Sequence, residues 1–473
     1  MKKGIVFGLL ILAVIVLVSP GVVGKMAEGY VEQGNEWTSQ SVDSSGVRFT
    51  QESYESGWFT SQSVDRLSIS DATIQAELVE ALELTSADQL PELLIYTRLD
   101  HGLIPVSSLS RDGGSLAPAL ARTVSTVSVV GADGGRIDVP TEFYGHIGLG
   151  GTIYSDITIE AGSTTNTAFV AGLKESAATL GLDGKLADEL NDASAKAGNE
   201  EVAISWEDIS MEVSLEPNSG RVTFVGGGDG MSVDADDGFV KMGAFRFMND
   251  STPTAAGVPV GDYDFEIDSF QVNEPESPPM SFGPISIKGS SSADGDRINA
   301  DSQMFFAASE FPGVGSASMT MDVALSNLDA EPLKRLSDAL NSMQDGVTEQ
   351  EMFVMLEPDL RELLSSGLGV EFRQLDVELP QGTINSKISV TLPETDAASF
   401  SWAGVLQAMS GSANLSVPGE MVDMALAMNP QAQMVVGMGF LQKNGEVYEM
   451  EALYEKGLLT VNGAPIPIPM PMQ

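Results

Sequence analysis

The sequence predicts a mainly β fold with α insertions: an extended, curved antiparallel sheet, a few packed helices and one N-terminal transmembrane helix. Three observations predict it. Apolar and polar residues alternate with period two along most of the chain, as half-buried strands do. The links between these runs are short and turn-rich, whereas parallel strands would need crossover helices. One apolar run, Gly4–Gly24, matches the thickness of a bilayer.

That run follows Lys2 and Lys3, which mark the cytoplasmic side. At 1.5 Å per residue, about 20 residues cover about 30 Å of hydrocarbon. Residues 1–24 therefore read as an inner-membrane anchor, with the bulk of the chain, 25–463, in the periplasm. The alternative is a signal peptide cut after Val22-Val23-Gly24; the apolar stretch is long for that role, and Pro20 sits near its outer end.

The strands follow from alternation. Tyr263, Phe265 and Ile267 interleave with Asp262, Asp264, Glu266 and Asp268, so one face of that strand is apolar and the other acidic. Val447–Tyr454, a turn at Glu455-Lys456-Gly457 and Leu458–Val461 read as a hairpin. Trp37–Asp43 recurs as Phe59–Asp65, which suggests two neighbouring strands of a meander. Helical insertions are expected near 171–197, 329–366 and 403–428. Asp329 can cap the second of these, with Pro332 in its first turn. Thr348–Glu351 forms a capping box ahead of Met352, Met355, Leu356, Leu360 and Leu363. The tail 464–473 alternates Pro with Ile and Met, so it must be extended and cannot be a central strand.

Composition excludes several functions. Sixty-seven acidic residues against 24 basic ones give a net charge of −43, which rules out nucleic acid as a partner. The excess is dispersed, as on a surface adapted to high salt. The absence of cysteine removes disulfides, thiolate metal sites and thiol nucleophiles. With only His101 and His146, a multi-histidine metal site is not expected, and no cofactor motif is present.

Candidate chemistry is sparse. Asp100 beside His101 invites an acid–base reading, and a hydrolase on this pair is the enzymatic alternative. Adjacent residues point apart, however, so the segment reads as a structural turn after strand Leu93–Thr97, with Gly102 at a special φ. Gly226–Gly230 lacks a P-loop lysine and reads as a hairpin turn; Asp234–Gly238 has the wrong spacing for an EF-hand and reads as a β-turn. Met409, Met421, Met424 and Met428 sit on two expected helices, Ala403–Met409 and Gly419–Met428, as a pliable apolar binding wall. No catalytic, cofactor-binding or metal residue is assigned.

Five segments carry a family likeness: the basic start and anchor leading to Gly24-Lys25; Tyr54–Ser61, with Gly57 and Phe59; Leu99–Pro105, with Asp100, His101 and Gly102; Ser326–Asp329; and Tyr454–Gly463, with Asn462 and Gly463. In this order they resemble the YdgA family of bacterial envelope proteins, also catalogued as domain of unknown function 945. The resemblance implies an inner-membrane protein with a large periplasmic domain, no established activity and no catalytic residues to carry over. By analogy of architecture with anchored β-rich envelope proteins, it implies non-enzymatic binding of a lipid, a hydrophobic ligand or another envelope protein; an envelope scaffold is the alternative.

Overall fold

The computed structural model describes residues 46–102, 118–165, 202–341 and 349–466. Short breaks fall within 82–85, 132–134, 236–237, 274–279, 312–314, 397–399 and 429–435, and isolated residues are described between 23 and 39, at 105 and 108, and at 179. The chain divides into two compact units, Met1–Asp237 and Gly238–Gln473. All the strand pairings described below are antiparallel.

The first unit contains β1 (Val47–Ser56), β2 (Thr60–Ile69), β3 (Glu92–His101), β4 (Ala121–Val130), β5 (Arg136–Ile147), β6 (Ile153–Ile159), β7 (Gly162–Thr165), β8 (Ala203–Trp206), β9 (Ile209–Glu216), β10 (Arg221–Gly228) and β11 (Met231–Ala235). Its main ladder runs β1–β2–β3–β4–β5–β6–β9–β10. A smaller ladder joins β7, β8 and β11. Helix α1 (Ala72–Ala81) follows β2. The core of this unit is Leu99, Leu120, Ala121 and Ile147, closed over by Val23 and Ala27.

The second unit contains β12 (Gly238–Met242), β13 (Phe245–Pro253), β14 (Pro259–Ile267), β15 (Phe270–Asn273), β16 (Met280–Asp294), β17 (Arg297–Phe311), β18 (Gly315–Asp329), β19 (Leu368–Leu379), β20 (Gly382–Leu392), β21 (Ser410–Pro418), β22 (Gln442–Asn444), β23 (Val447–Glu455), β24 (Leu458–Val461) and β25 (Ala464–Ile466). The ladder runs β13–β14–β16–β17–β18–β19–β20–β21–β23–β24–β25. Strand β22 pairs β23 beside β24. Register shifts interrupt β16–β17, β17–β18, β18–β19 and β19–β20, and such bulges bend and twist a sheet.

Helices α2 (Ala330–Asn341) and α3 (Glu349–Ser365) follow β18. Asp329 Oδ1 accepts from Glu331 N at 3.3 Å, as its capping position requires. Leu336, Leu356 and Leu363 form a buried cluster with Ile298, Leu328 and Ala330. Arg335 ties the helices together through Asp359 at 2.6 Å and Glu362 at 2.7 Å. Met355 departs from the expected stripe and is exposed beside Phe353 and Val354. Helices α4 (Trp402–Ala408) and α5 (Gly419–Met428) flank β21, so the expected Met-rich pair is split by a strand.

Other expectations are corrected. Both edges of β2 are taken, by β1 and β3, and Trp37–Asp43, Ser39 apart, lies outside the described residues. Gly226–Gly228 do not turn: they lie in β10 against Ser210, Ile209 and Met211 of β9, and the chain leaves the ladder only at Asp229. Ala464–Ile466, the start of the expected tail, pairs with β24 alone, an edge position that tolerates Pro465. Val23, at the end of the expected span, belongs to the core of the first unit. No described helix is long and apolar enough to cross a membrane, and residues 1–22 lie outside the described residues. So do the Thr348 capping position, most of the expected turn at 234–238's second half, and, Thr179 apart, the helix expected over 171–197.

Candidate functional site

Asp100 and His101 are not in a turn. They end β3, where Thr60 of β2 and Arg122 of β4 flank Asp100, and Ala121 faces His101. Pairing on both edges carries the strand to Gly102, whose φ of +133° breaks it. His101 N donates to Phe59 O at 2.9 Å. His101 and Asp100 are both buried, and they point to opposite faces as neighbours in a strand must.

The structure brings Ser61 to His101: Ser61 Oγ lies 3.1 Å from His101 Nε2. A serine on an imidazole is a nucleophile–base pair in outline. Both side chains are 1% exposed, however, and neither lines the 200 Å3 cavity of this unit. The contact links β2 to β3. Asp100 Oδ1 accepts from Arg98 Nε and Nη2 at 3.2 and 3.0 Å. In register beyond it stand Arg122 and then His146, which stacks on Tyr154 at 4.4 Å. Burial, then the Arg122 charge, pushes the His146 imidazole below its ordinary pKa; Asp156 and Glu212 oppose this. Asp65, also buried, is pushed above the ordinary carboxylate range by burial, against a Ser63 hydrogen bond.

The other family-motif residues shape turns. A Cβ on Gly57 would meet Thr60 O at 2.4 Å, so the β1–β2 turn requires glycine. Phe59 is exposed, as is Trp58 beside it. Asn462 adopts φ +49°; its Oδ1 accepts from Glu451 N at 2.8 Å, and its Nδ2 donates to Gly439 O at 2.8 Å and Phe440 O at 3.2 Å. It pins the chain after β24 to β23 and to the segment before β22. Gly463 follows at φ +77°.

The most extensive arrangement spans the second unit. Phe247, Phe265, Ile287, Met304, Met321, Leu375, Ser386, Leu415 and Met450 stand opposite one another, strand to strand, across nine strands. A parallel row on the same face runs Phe245, Ile267, Ile285, Phe306, Met319, Val377 and Ile384. Every residue of both rows is half-buried. The opposite face is polar: Lys288 pairs with Asp264 at 3.1 Å and Glu266 at 2.6 Å, and Arg246 with Glu266. The alternation read at Tyr263–Asp268 is thus one strand's share of a two-faced sheet.

The methionines of the expected wall fall on or beside α4 and α5. Met409 ends α4, Met421 and Met424 lie on α5, and Met424 is exposed. None of these lines either cavity described, and the side chain of Met428 lies outside the described residues. The 720 Å3 cavity of the second unit is lined by polar residues, including Lys387, Asn414, Lys443, Glu449 and Asn462, and by Leu415 and Met450. Among the described residues, no group of three or more His, Asp or Glu could hold a metal ion.

Fold and site together define a mainly β protein of antiparallel sheets with one broad apolar face. The profile of a bacterial family of unknown function, DUF945, matches residues 1–174 and 173–469. The chain belongs to that family. No curated protein and no solved structure matches it.

Proposed function

We propose that this is a membrane-anchored bacterial envelope protein that binds a lipid or similar hydrophobic ligand without chemistry, on the apolar face of its second unit. The observation that carries the reading is the row from Phe247 to Met450, half-buried from end to end. A row serving only as core would be sealed; here α2 and α3 bury only the cluster around Ile298 and Leu328. Apolar surface beyond a few hundred Å2 marks a binding site or a liability. Eight steps of about 4.8 Å make the row about 38 Å long, well over the ~15 Å depth of one leaflet of a ~30 Å hydrocarbon core. From Phe247 to Leu375 the row offers acyl chains an unbroken apolar contact that is adaptable at Met304 and Met321, with Met319 in the row beside it. Periplasmic placement rests on Lys2, Lys3 and the apolar run after them. The buried Ser61–His101 pair gives the hydrolase reading no accessible nucleophile.

Titration with a fluorescent phospholipid tests this. The protein should bind it saturably. Met304→Glu should weaken binding at least tenfold, since it sets an unpaired charge amid the row. Gln303→Glu, one residue along on the polar face, should not. Equal binding by both variants would remove the apolar face from the account.

A further inference from the structure

The polar face of the second unit carries the 720 Å3 cavity, which the lipid reading leaves unused. Its volume falls within the ~300–1,000 Å3 of small-molecule sites. Its floor is two adjacent rows of one sheet face: Asn385, Ser416 and Glu449 stand opposite one another, and so do Lys387, Asn414 and Glu451. Strand β22 adds Gln442, opposite Glu449, and Asn462 closes another side.

The side chains of Asn385, Lys387, Asn414 and Gln442 are exposed, and none bonds to another side chain or backbone group among the described residues. These groups are presented rather than consumed. By contrast, Asn462 spends its amide on Glu451, Gly439 and Phe440, and so holds the wall in place.

The chemistry of the lining narrows the ligand. A carboxamide offers a donor pair and an acceptor in one plane, which suits hydroxyl groups that donate and accept at once. Lys387 and Lys443 stand against Asp376, Glu449 and Glu451, so the lining is slightly negative in a chain of net charge −43. That balance disfavours phosphate, sulfate or carboxylate ligands. Ser386, Leu415 and Met450 of the apolar row also contribute to the lining, between the two polar rows.

We propose that this cavity is a second binding site, for a neutral oligosaccharide. The ligand's hydroxyls bond to Asn385, Asn414 and Gln442, and Lys387 donates to a ring or hydroxyl oxygen. The source is either a free glycan or the saccharide headgroup of a glycolipid. The proposal does not rest on the lipid reading, because the groups it uses, Asn385, Lys387, Asn414 and Gln442, lie outside the apolar row.

Calorimetry on the full chain tests it, with maltotetraose and chitotetraose as free neutral probes. Vesicles displaying the same saccharides on lipid form a second arm, and a sulfated tetrasaccharide a third. Saturable binding of a neutral probe is expected, at least tenfold weaker in Asn385→Ala/Asn414→Ala, whose positions are exposed and leave the fold intact. Binding of the free probe assigns a free glycan; binding only of the vesicle-displayed probe assigns a glycolipid headgroup, and each supports the proposal. Met304→Glu should leave saccharide binding unchanged, which separates this site from the apolar face. No binding of any neutral saccharide in either arm, a preference for the sulfated probe, or equal binding by the double variant would overturn it.

Discussion

At the scale of single residues, the Ser61–His101 contact joins β2 to β3 inside the first unit, away from water. Replacing His101 with Leu leaves Ser61 Oγ buried without that partner. The cost should be about 1–3 kcal/mol, read as a lower melting temperature. Adding Ser61→Ala should recover part of it, because the orphaned hydroxyl is gone; a double variant as unstable as the sum of both singles would refute the bond. Asp65 titrates in the fold above its unfolded value of 3.8. As pH rises past 3.8 the unfolded chain ionises first, so Asp65 erodes stability from there up through its raised folded value. Asp65→Asn should therefore melt higher than the parent at pH 7, with the gain vanishing below about pH 4, which thermal melts across pH will show. Asp100 and His101 were visible in the sequence as neighbours. The partner of His101 was not, because strand register brings Ser61 to it across 40 positions, whereas Asp100 is bonded by Arg98 only two residues away.

At the scale of elements, alternation made the strands legible, and the β23–β24 hairpin follows it closely. Caps made α2 legible, through Asp329 and Pro332. What misled was local composition. The glycines at 226–228 suggested a turn, yet β9 supplies their pairing. The two helices expected at 403–409 and 419–428 are present as α4 and α5, but the pairing of β21 with β20 between them was not legible from the methionines. Asn462 shows an element held by one side chain at positive φ. Asn462→Ala loses three hydrogen bonds and strains the turn, whereas Asn462→Gly loses the bonds without the strain. The alanine variant should be the less stable by about 1 kcal/mol in denaturant melts; equal stability would mean that the left-handed conformation carries no cost.

At the scale of the whole molecule, dispersed charge and the two-faced sheet dominate. The net charge of −43 repels itself in dilute buffer. Screening shortens to about 3 Å at 1 M salt, so the melting temperature should rise steadily toward molar NaCl. A flat response would contradict a salt-adapted surface. That the sheet would have one apolar and one acidic face could be read from Tyr263–Asp268 alone. That eight strands align their apolar residues into one row, interrupted only by Ser386 of β20, could not, because register depends on turn lengths and bulges distributed over more than 200 residues. The central claim is that this row holds a hydrophobic ligand. Organic extraction and mass spectrometry of the full-length protein, purified from membranes in parallel with Met304→Glu, tests it most directly. The account predicts a lipid or other hydrophobic molecule in near-stoichiometric amount from the parent and little from the variant. An extract empty in both, or equally loaded in both, would contradict it.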